Sequence, residues 1–323
     1  MANSQDPHRP FAGSEAELNA FGKHLAVSRT IKPSEVQIPT VLSDLPDVRK
    51  ELGQYYTSSH RCDETVGEVL RALRESGLED NTVVMFLSDN GISEPFAKTN
   101  CYMNSTTTPW IVRWPGQAKT GNIDHTHFIS GIDFMPTILE IAGLPQVKGM
   151  DGKSFMPLLK GKPQAGRGHV LTTLHATSGR NEYPMRCLRT THYSYLFNAW
   201  ADGKRVFRNE PQGGLAFQAM QASTDLKIAE RVKFFLYRTP EELYDLDADP
   251  NELHNLAKDP KHQQTLKQMR AQLLEEMVKT QDLLREHLQA WVKDGKLTWQ
   301  PSPAQPRRPR AGAGRQRQPA AEE

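Results

Sequence analysis

An acid and an amide stand side by side directly after an apolar run, and this is where the sequence could do chemistry. The run covers residues 82–87, and Asp89 and Asn90 follow it inside a Ser-Asp-Asn-Gly turn. β-Branched and aromatic residues closed by a polar turn with glycine predict a buried strand that ends in a loop. Such strand ends commonly bind ligands in α/β folds, and carboxylate and amide oxygens suit a hard cation. An ordinary turn is the alternative, because Asp, Asn and Gly also favour turns.

Segments before and after this turn extend it into a family resemblance. Lys98 follows the turn, a Trp-Pro-Gly segment ends at Gly116, and an Asp-Pro-His-Arg-Pro-Phe segment places His8 near the amino terminus. A Glu-Leu-Tyr-Asp-Leu segment occupies residues 242–246. The order of these segments, from about residue 1 to about residue 265, resembles the sulfatase branch of the alkaline-phosphatase superfamily, and within it the heparan N-sulfatase-like enzymes.

The resemblance implies specific roles for four residues. Asp89 and Asn90 would bind one Ca²⁺, Lys98 would contact the sulfuryl group, and His8 would give a proton to the leaving atom. A fixed cation offsets charge that develops on the transferring oxygens. Imidazole ionises near neutral pH, which suits a general acid. The resemblance therefore implies hydrolysis of a sulfate ester or a sulfamate on a sulfated sugar, with the choice between them open.

His175 and Arg186 are weaker candidates for substrate contact. They lie in the C-terminal part of the chain, which could reach the sugar. A structural histidine at a strand end is the alternative for His175.

One part of the family pattern is missing. Sulfatases work through a formylglycine made from Cys or Ser in a C/S-x-P/A-x-R motif, and neither a serine nor any of the three cysteines, Cys62, Cys101 and Cys187, stands in one. The consecutive acidic ligands expected on the family's first strand are missing too. We therefore expect a chain that begins inside a sulfatase domain, carries an incomplete calcium site and no nucleophile, and is inactive alone. A non-catalytic or sugar-binding remnant is the alternative, and a phosphodiesterase or phosphonate hydrolase is a weaker one.

Composition narrows the class of protein further. The 323 residues have a net charge of +2 and 24% charged residues, which is ordinary for a globular enzyme and gives no argument for nucleic acid as a partner. No apolar run approaches the roughly 20 residues that span a bilayer. No signal-peptide pattern is visible. The resemblance implies a periplasmic or secreted location for the intact family member, and the oligomeric state stays open.

The elements that must position these residues follow an alternating order. A helix is predicted over 52–73, strands over 82–87 and 109–114, and a helix from Asp133 to Gly143, after a loop-like stretch over 12–50. This order favours a parallel or mixed sheet flanked by helices.

The character of the chain changes after about residue 165. A strand over 169–174, a hairpin of 185–189 with 193–197, and one long helix over 260–292 are predicted. We thus expect an α/β fold with a mixed sheet flanked by helices, alkaline-phosphatase-like but partial, plus a smaller C-terminal α+β part. The predicted divisions are 1–165, 166–295 and a disordered Pro/Arg-rich tail over 296–323.

Overall fold

The first part of the chain builds helices around a small sheet. A computed structural model describes residues 1–302. A long helix begins at a proline, which is favourable in a first helical turn, and ends before Gly77, whose φ is +72°. The elements of this part are α1 (Glu15–Phe21), α2 (Pro46–Glu75), β1 (Val84–Leu87), α3 (Met103–Thr106), β2 (Trp110–Arg113), α4 (Phe134–Ile141) and α5 (Met156–Leu159).

Strands β1 and β2 pair antiparallel, with Leu87 opposite Trp110. The Trp110 ring packs edge-on against Phe155 at a centroid distance of 4.9 Å, but Leu87 is exposed and no residue of β1 is buried, so the buried strand predicted here is wrong in its burial. The parallel pairing that the order of elements favours is not found among residues 1–302, where both sheets are antiparallel throughout. The α/β fold class is confirmed.

The second part is an antiparallel sheet with helices, as predicted. Its strands lie in the order β3-β4-β5-β6, and the predicted hairpin is β4 with β5. The elements are β3 (His169–Ala176), β4 (Glu182–Thr190), β5 (Tyr193–Asn198), α6 (Leu215–Ala222), α7 (Leu226–Tyr237), β6 (Glu241–Asp245), α8 (Gln263–Lys279) and α9 (Arg285–Asp294).

One buried cluster joins the two parts. Val48 and Leu52 of α2 belong to the same core as Phe207 and Phe235. A second cluster packs β4, β5 and β6 against α8 and α9. The division near residue 165 stays a prediction, and side chains from both sides of it share one core.

The predicted loop over 12–50 is wrong at its start, where α1 forms. The Ser14 hydroxyl accepts a hydrogen bond from the Glu17 amide at 3.0 Å, which is the N-cap that starts this helix. Glu17 is buried and pairs with Arg61 of α2 at 2.7 Å, so a tertiary ion pair also holds the helix.

The single helix predicted over 260–292 is wrong as well, because it divides into α8 and α9. Gln281 has a φ of +52°, and Asp282 turns its carboxylate to the buried Arg186 at 2.5 Å. The other oxygen of Asp282 accepts from the Leu284 amide, directly before α9 begins. Because the apolar pattern continues on both sides of this break, the sequence alone does not indicate where α8 ends and α9 begins.

The disorder predicted over 296–323 is wrong for its first seven residues. Trp299 packs against both buried clusters, and Arg205 lies over its ring at 5.2 Å. The Ser302 amide donates to Glu182 at 2.7 Å. Residues 303–323 of that prediction lie outside the described residues. Across residues 1–302, no helix combines the length and the apolarity that crossing a bilayer requires.

Candidate functional site

The turn after β1 is fixed by a close approach of backbone to backbone. The Gly91 amide donates to the Ser105 carbonyl at 2.8 Å, and a Cβ on Gly91 would lie only 1.8 Å from the Asn104 carbonyl oxygen. Glycine is therefore required here for space. The Asn90 amide donates to Asp89 Oδ1 at 2.9 Å, and the Asp89 side chain is exposed.

The loop that carries Lys98 is anchored on both sides. The Lys98 amide donates to the Ile92 carbonyl at 3.0 Å. Phe96 is 2% exposed and packs edge-on against Phe235 at 5.0 Å. Phe96 and Thr99 both have positive φ, at 64° and 66°, and burial of Phe96 holds that uncommon conformation. The buried ring thus fixes where Lys98 leaves the core.

His8 and Lys98 meet although 90 positions separate them. Lys98 Nζ lies 3.1 Å from His8 Nε2, and His8 Nδ1 lies 2.6 Å from the Arg9 carbonyl oxygen. A carbonyl oxygen only accepts, so Nδ1 carries the ring proton and Nε2 accepts from the Lys98 ammonium. This assigns the tautomer of His8 from its partners.

Arg9 anchors the segment that carries His8. Its guanidinium pairs with Glu51 of α2 at 2.5 Å and with Glu94 at 3.2 Å, and it donates to the Ser93 carbonyl at 2.9 Å. A Cβ on Gly214 would lie 2.6 Å from Arg9 Nη2, so this glycine leaves room for the cation.

Glu94 is buried beside a second carboxylate. Burial raises the pKa of Glu94 well above its usual value, and the charge of Glu51 adds to this, while Arg9 offsets part of it. Its Oε2 atom has no hydrogen-bond partner within residues 1–302. Two carboxylates cannot both ionise cheaply around one guanidinium, so Glu94 holds its proton more tightly than an ordinary glutamate does.

The C-terminal part contributes Glu210 to this site. Lys98 Nζ lies 3.2 Å from Glu210 Oε2, and the Ser93 hydroxyl donates to Glu210 Oε1 at 3.2 Å. The neighbouring Asn209 amide group donates to the Thr99 hydroxyl at 2.7 Å. Sequence reasoning missed Glu210, because no local pattern marks a carboxylate 112 positions away from its lysine.

Asp89 and Asn90 are not joined to His8 or Lys98 by any hydrogen bond or ion pair of the described residues; they reach Lys98 only along the loop. Within residues 1–302, His, Cys, Asp and Glu form no group of three or more that could hold a metal ion. The aspartate and the asparagine therefore offer two oxygen donors of the kind that Ca²⁺ prefers, short of its usual six to eight.

His175 and Arg186 contact each other and not the His8–Lys98 pair. Arg186 is 1% exposed; it donates to the Met185 carbonyl at 2.8 Å and pairs with Asp282. Its Nη2 lies 2.8 Å from His175 Nε2. Desolvation and then the Arg186 charge lower the pKa of His175. His175 is the exposed member, so a contact of this pair with substrate stays a prediction and would be made by the imidazole.

Two family descriptions match this chain. Residues 4–144 match "Sulfatase", and residues 91–201 match "N-sulphoglucosamine sulphohydrolase, C-terminal". Over these residues the chain is similar to the sulfatase family. It is similar to the human N-sulphoglucosamine sulphohydrolase, with 29% identity over 77% of this chain and 52% of that one.

Solved structures share the fold. One, in complex with its substrate D-glucosamine-2-N,6-O-disulfate, has a TM-score of 0.54 and 19% identity over 75% of this chain and 44% of that chain. A phosphonate monoester hydrolase from Silicibacter pomeroyi has a TM-score of 0.54 and 20% identity over 76% and 45%. At these identities the likeness shows the fold alone. The chain spans about half the length, or less, of the curated relatives it matches.

Proposed function

We propose that this chain supplies the sulfuryl-binding side of a sulfatase that acts on a sulfated sugar, as an N-sulfate or an O-sulfate. The observation that carries the proposal is the 3.1 Å contact of Lys98 with His8. Two segments far apart in sequence bring a cation and an imidazole to one point, and both belong to the motifs that resemble the family. A sulfated carbohydrate is accordingly the proposed partner.

Lys98 has the geometry to bind a sulfuryl oxygen. Its ammonium has three N–H bonds, of which one faces His8 and another faces Glu210. The third is available to an anionic oxygen. When a sulfuryl oxygen draws Lys98 away from His8, the Nε2 atom becomes free to take up a proton from water and to give it to the leaving oxygen or nitrogen. The bond from Nδ1 to the Arg9 carbonyl keeps the ring oriented during this exchange.

The side chains of Asp89 and Asn90 carry oxygen atoms of the kind that binds Ca²⁺. Sulfatases generally use Ca²⁺ and formylglycine, and a bound Ca²⁺ would polarise the sulfuryl oxygens. We propose that Asp89 and Asn90 are two of its ligands. The remaining ligands and the nucleophile have no candidate among the motifs of this sequence. For the intact family member we propose a periplasmic or secreted location.

A sugar-binding protein without hydrolysis is the second candidate function. The lack of a formylglycine motif in the sequence favours it for this chain by itself. Incubating the purified chain with an aryl sulfate and Ca²⁺ separates the two. We expect no release of the aryl alcohol, and clear turnover would show that the chain has a nucleophile of another kind.

Ligand binding tests the site directly. We expect D-glucosamine N-sulfate to shift the NMR signals of His8 and of the loop around Lys98, while neutral N-acetyl-D-glucosamine does not. Lys98→Ala should weaken binding about tenfold or more, because a hydrogen bond to a charged group is worth about 1.5–3 kcal/mol. Lys119→Ala, at an exposed lysine, is the matched control and should leave the affinity unchanged. Unchanged binding by the Lys98 variant would remove this residue from the site.

A further inference from the structure

Glu210 closes a ring of hydrogen bonds around the proposed sulfuryl site. Arg9 Nε donates to the Ser93 hydroxyl at 3.3 Å, and Ser93 donates to Glu210 at 3.2 Å. Glu210 pairs with Lys98 at 3.2 Å, Lys98 contacts His8 at 3.1 Å, and His8 returns to the Arg9 carbonyl at 2.6 Å. Glu210 uses both of its oxygens in this ring, so its position is determined.

Each positive charge around Lys98 has a carboxylate beside it, so the site carries little net positive charge. Arg9 is offset by Glu51, which lies 2.5 Å from its guanidinium. Burial raises the pKa of Glu94, which favours the uncharged form of this carboxyl. The Lys98 charge in turn faces the Glu210 carboxylate, which keeps 29% of its side chain exposed. An anion that reaches Lys98 therefore meets a negative charge beside the positive one.

This balance distinguishes two groups of nearly equal shape. A sulfate monoester or a sulfamate carries one negative charge. A phosphate monoester carries nearly two above pH 7, because its second pKa is about 6. Repulsion from a neighbouring carboxylate grows with the charge of the ligand. The dianion is therefore penalised about twice as much in free energy as the monoanion.

We propose that Glu210 is a specificity-determining residue that makes the site favour monoanionic sulfate esters and sulfamates over dianionic phosphate monoesters. This inference rests on the proposed role of Lys98 as the sulfuryl-binding cation. It assigns to the C-terminal part of the chain a function in choosing the transferred group, separate from any contact with the sugar.

Methyl sulfate and methyl phosphate test this inference as ligands of matched shape. Their affinities for the full chain are measured by NMR titration at pH 8, in the wild type and in Glu210→Gln. If removal of one screened charge strengthens monoanion binding about threefold, it should strengthen dianion binding about ninefold, since the free energy doubles. The preference for sulfate over phosphate should thus fall about threefold.

Two control variants separate charge from structure. Glu210→Asp keeps the carboxylate and should keep the wild-type preference. Ser93→Ala removes a hydrogen bond to Glu210 but no charge, and it should keep the preference too. An effect of Glu210 on folding alone would change both affinities by the same factor, and thermal melting checks that each variant is folded.

The outcomes are distinct. If methyl sulfate binds the wild type and Glu210→Gln leaves the sulfate-to-phosphate ratio unchanged, the inference is wrong and the proposed function stands. The inference is also wrong if Glu210→Asp shifts the ratio as far as Glu210→Gln does. If millimolar methyl sulfate does not affect His8 or the Lys98 loop in the wild type, the proposed function itself fails, and this inference with it.

Discussion

Individual residues at this site are held by charge pairs that span the chain. His8 and Lys98 were predictable, because each stands in a short motif with neighbours that resemble the family. Glu210 and Glu51 were not, since their roles depend on a lysine and an arginine that only folding brings near. Arg186 shows the same limit, because its burial against Asp282 has no signal in its own strand.

Replacing Glu94 with glutamine should stabilise the chain at high pH. A carboxyl whose pKa is raised in the folded state holds its proton more tightly there than in the unfolded chain. The free energy of unfolding therefore falls as the pH rises from the ordinary pKa of glutamate toward the raised pKa of Glu94. The total loss is about 1.4 kcal/mol for each unit by which the pKa is raised. Glu94→Gln has no such proton to lose.

Thermal melting from pH 5 to pH 8 measures this effect. The melting temperature of Glu94→Gln should rise steadily relative to that of the wild type as the pH increases. Glu140→Gln, at an exposed glutamate, is the control and should track the wild type. A difference between Glu94→Gln and the wild type that does not depend on pH would mean that Glu94 is ionised in the folded chain.

Elements were predicted best where their signals are local. Both strands around the Asp89 turn, the hairpin of β4 with β5, and helix α4 follow from periodicity and turn residues. Helix α1 was missed although Ser14 and Glu17 have the spacing of a capping box, because the prolines after it suggested a loop. The break between α8 and α9 depends on Asp282 reaching Arg186, which no local pattern shows.

Gly91→Ala tests whether the turn after β1 needs a bare backbone. The added Cβ would lie 1.8 Å from the Asn104 carbonyl oxygen, so one of the two backbone segments would have to shift. We expect a loss of about 1–3 kcal/mol in the free energy of unfolding, measured by denaturant titration. Gly67→Ala is the matched control in α2, where a Cβ meets nothing within 4 Å, and it should gain up to about 1 kcal/mol. Equal effects of the two substitutions would contradict this account.

The parts of the chain before and after about residue 165 meet at the proposed site. Core residues of α2 pack with Phe207 and Phe235, and this shared core places Glu210 against the loop of Lys98. The order of elements and motifs predicted the α/β fold and the similarity to sulfatases, because their signals are spread along the chain. The contact between the two parts could not be predicted, since it is made by side chains with no common motif.

A crystal structure of the chain with D-glucosamine N-sulfate tests the central claim most directly. We predict a sulfate oxygen within hydrogen-bonding distance of Lys98 Nζ, beside His8 Nε2, in a cavity that the oxygens of Asp89 and Asn90 also face. Sugar bound elsewhere, or oxygens of Asp89 and Asn90 turned away from the His8–Lys98 pair with no shared cavity, would contradict the claim.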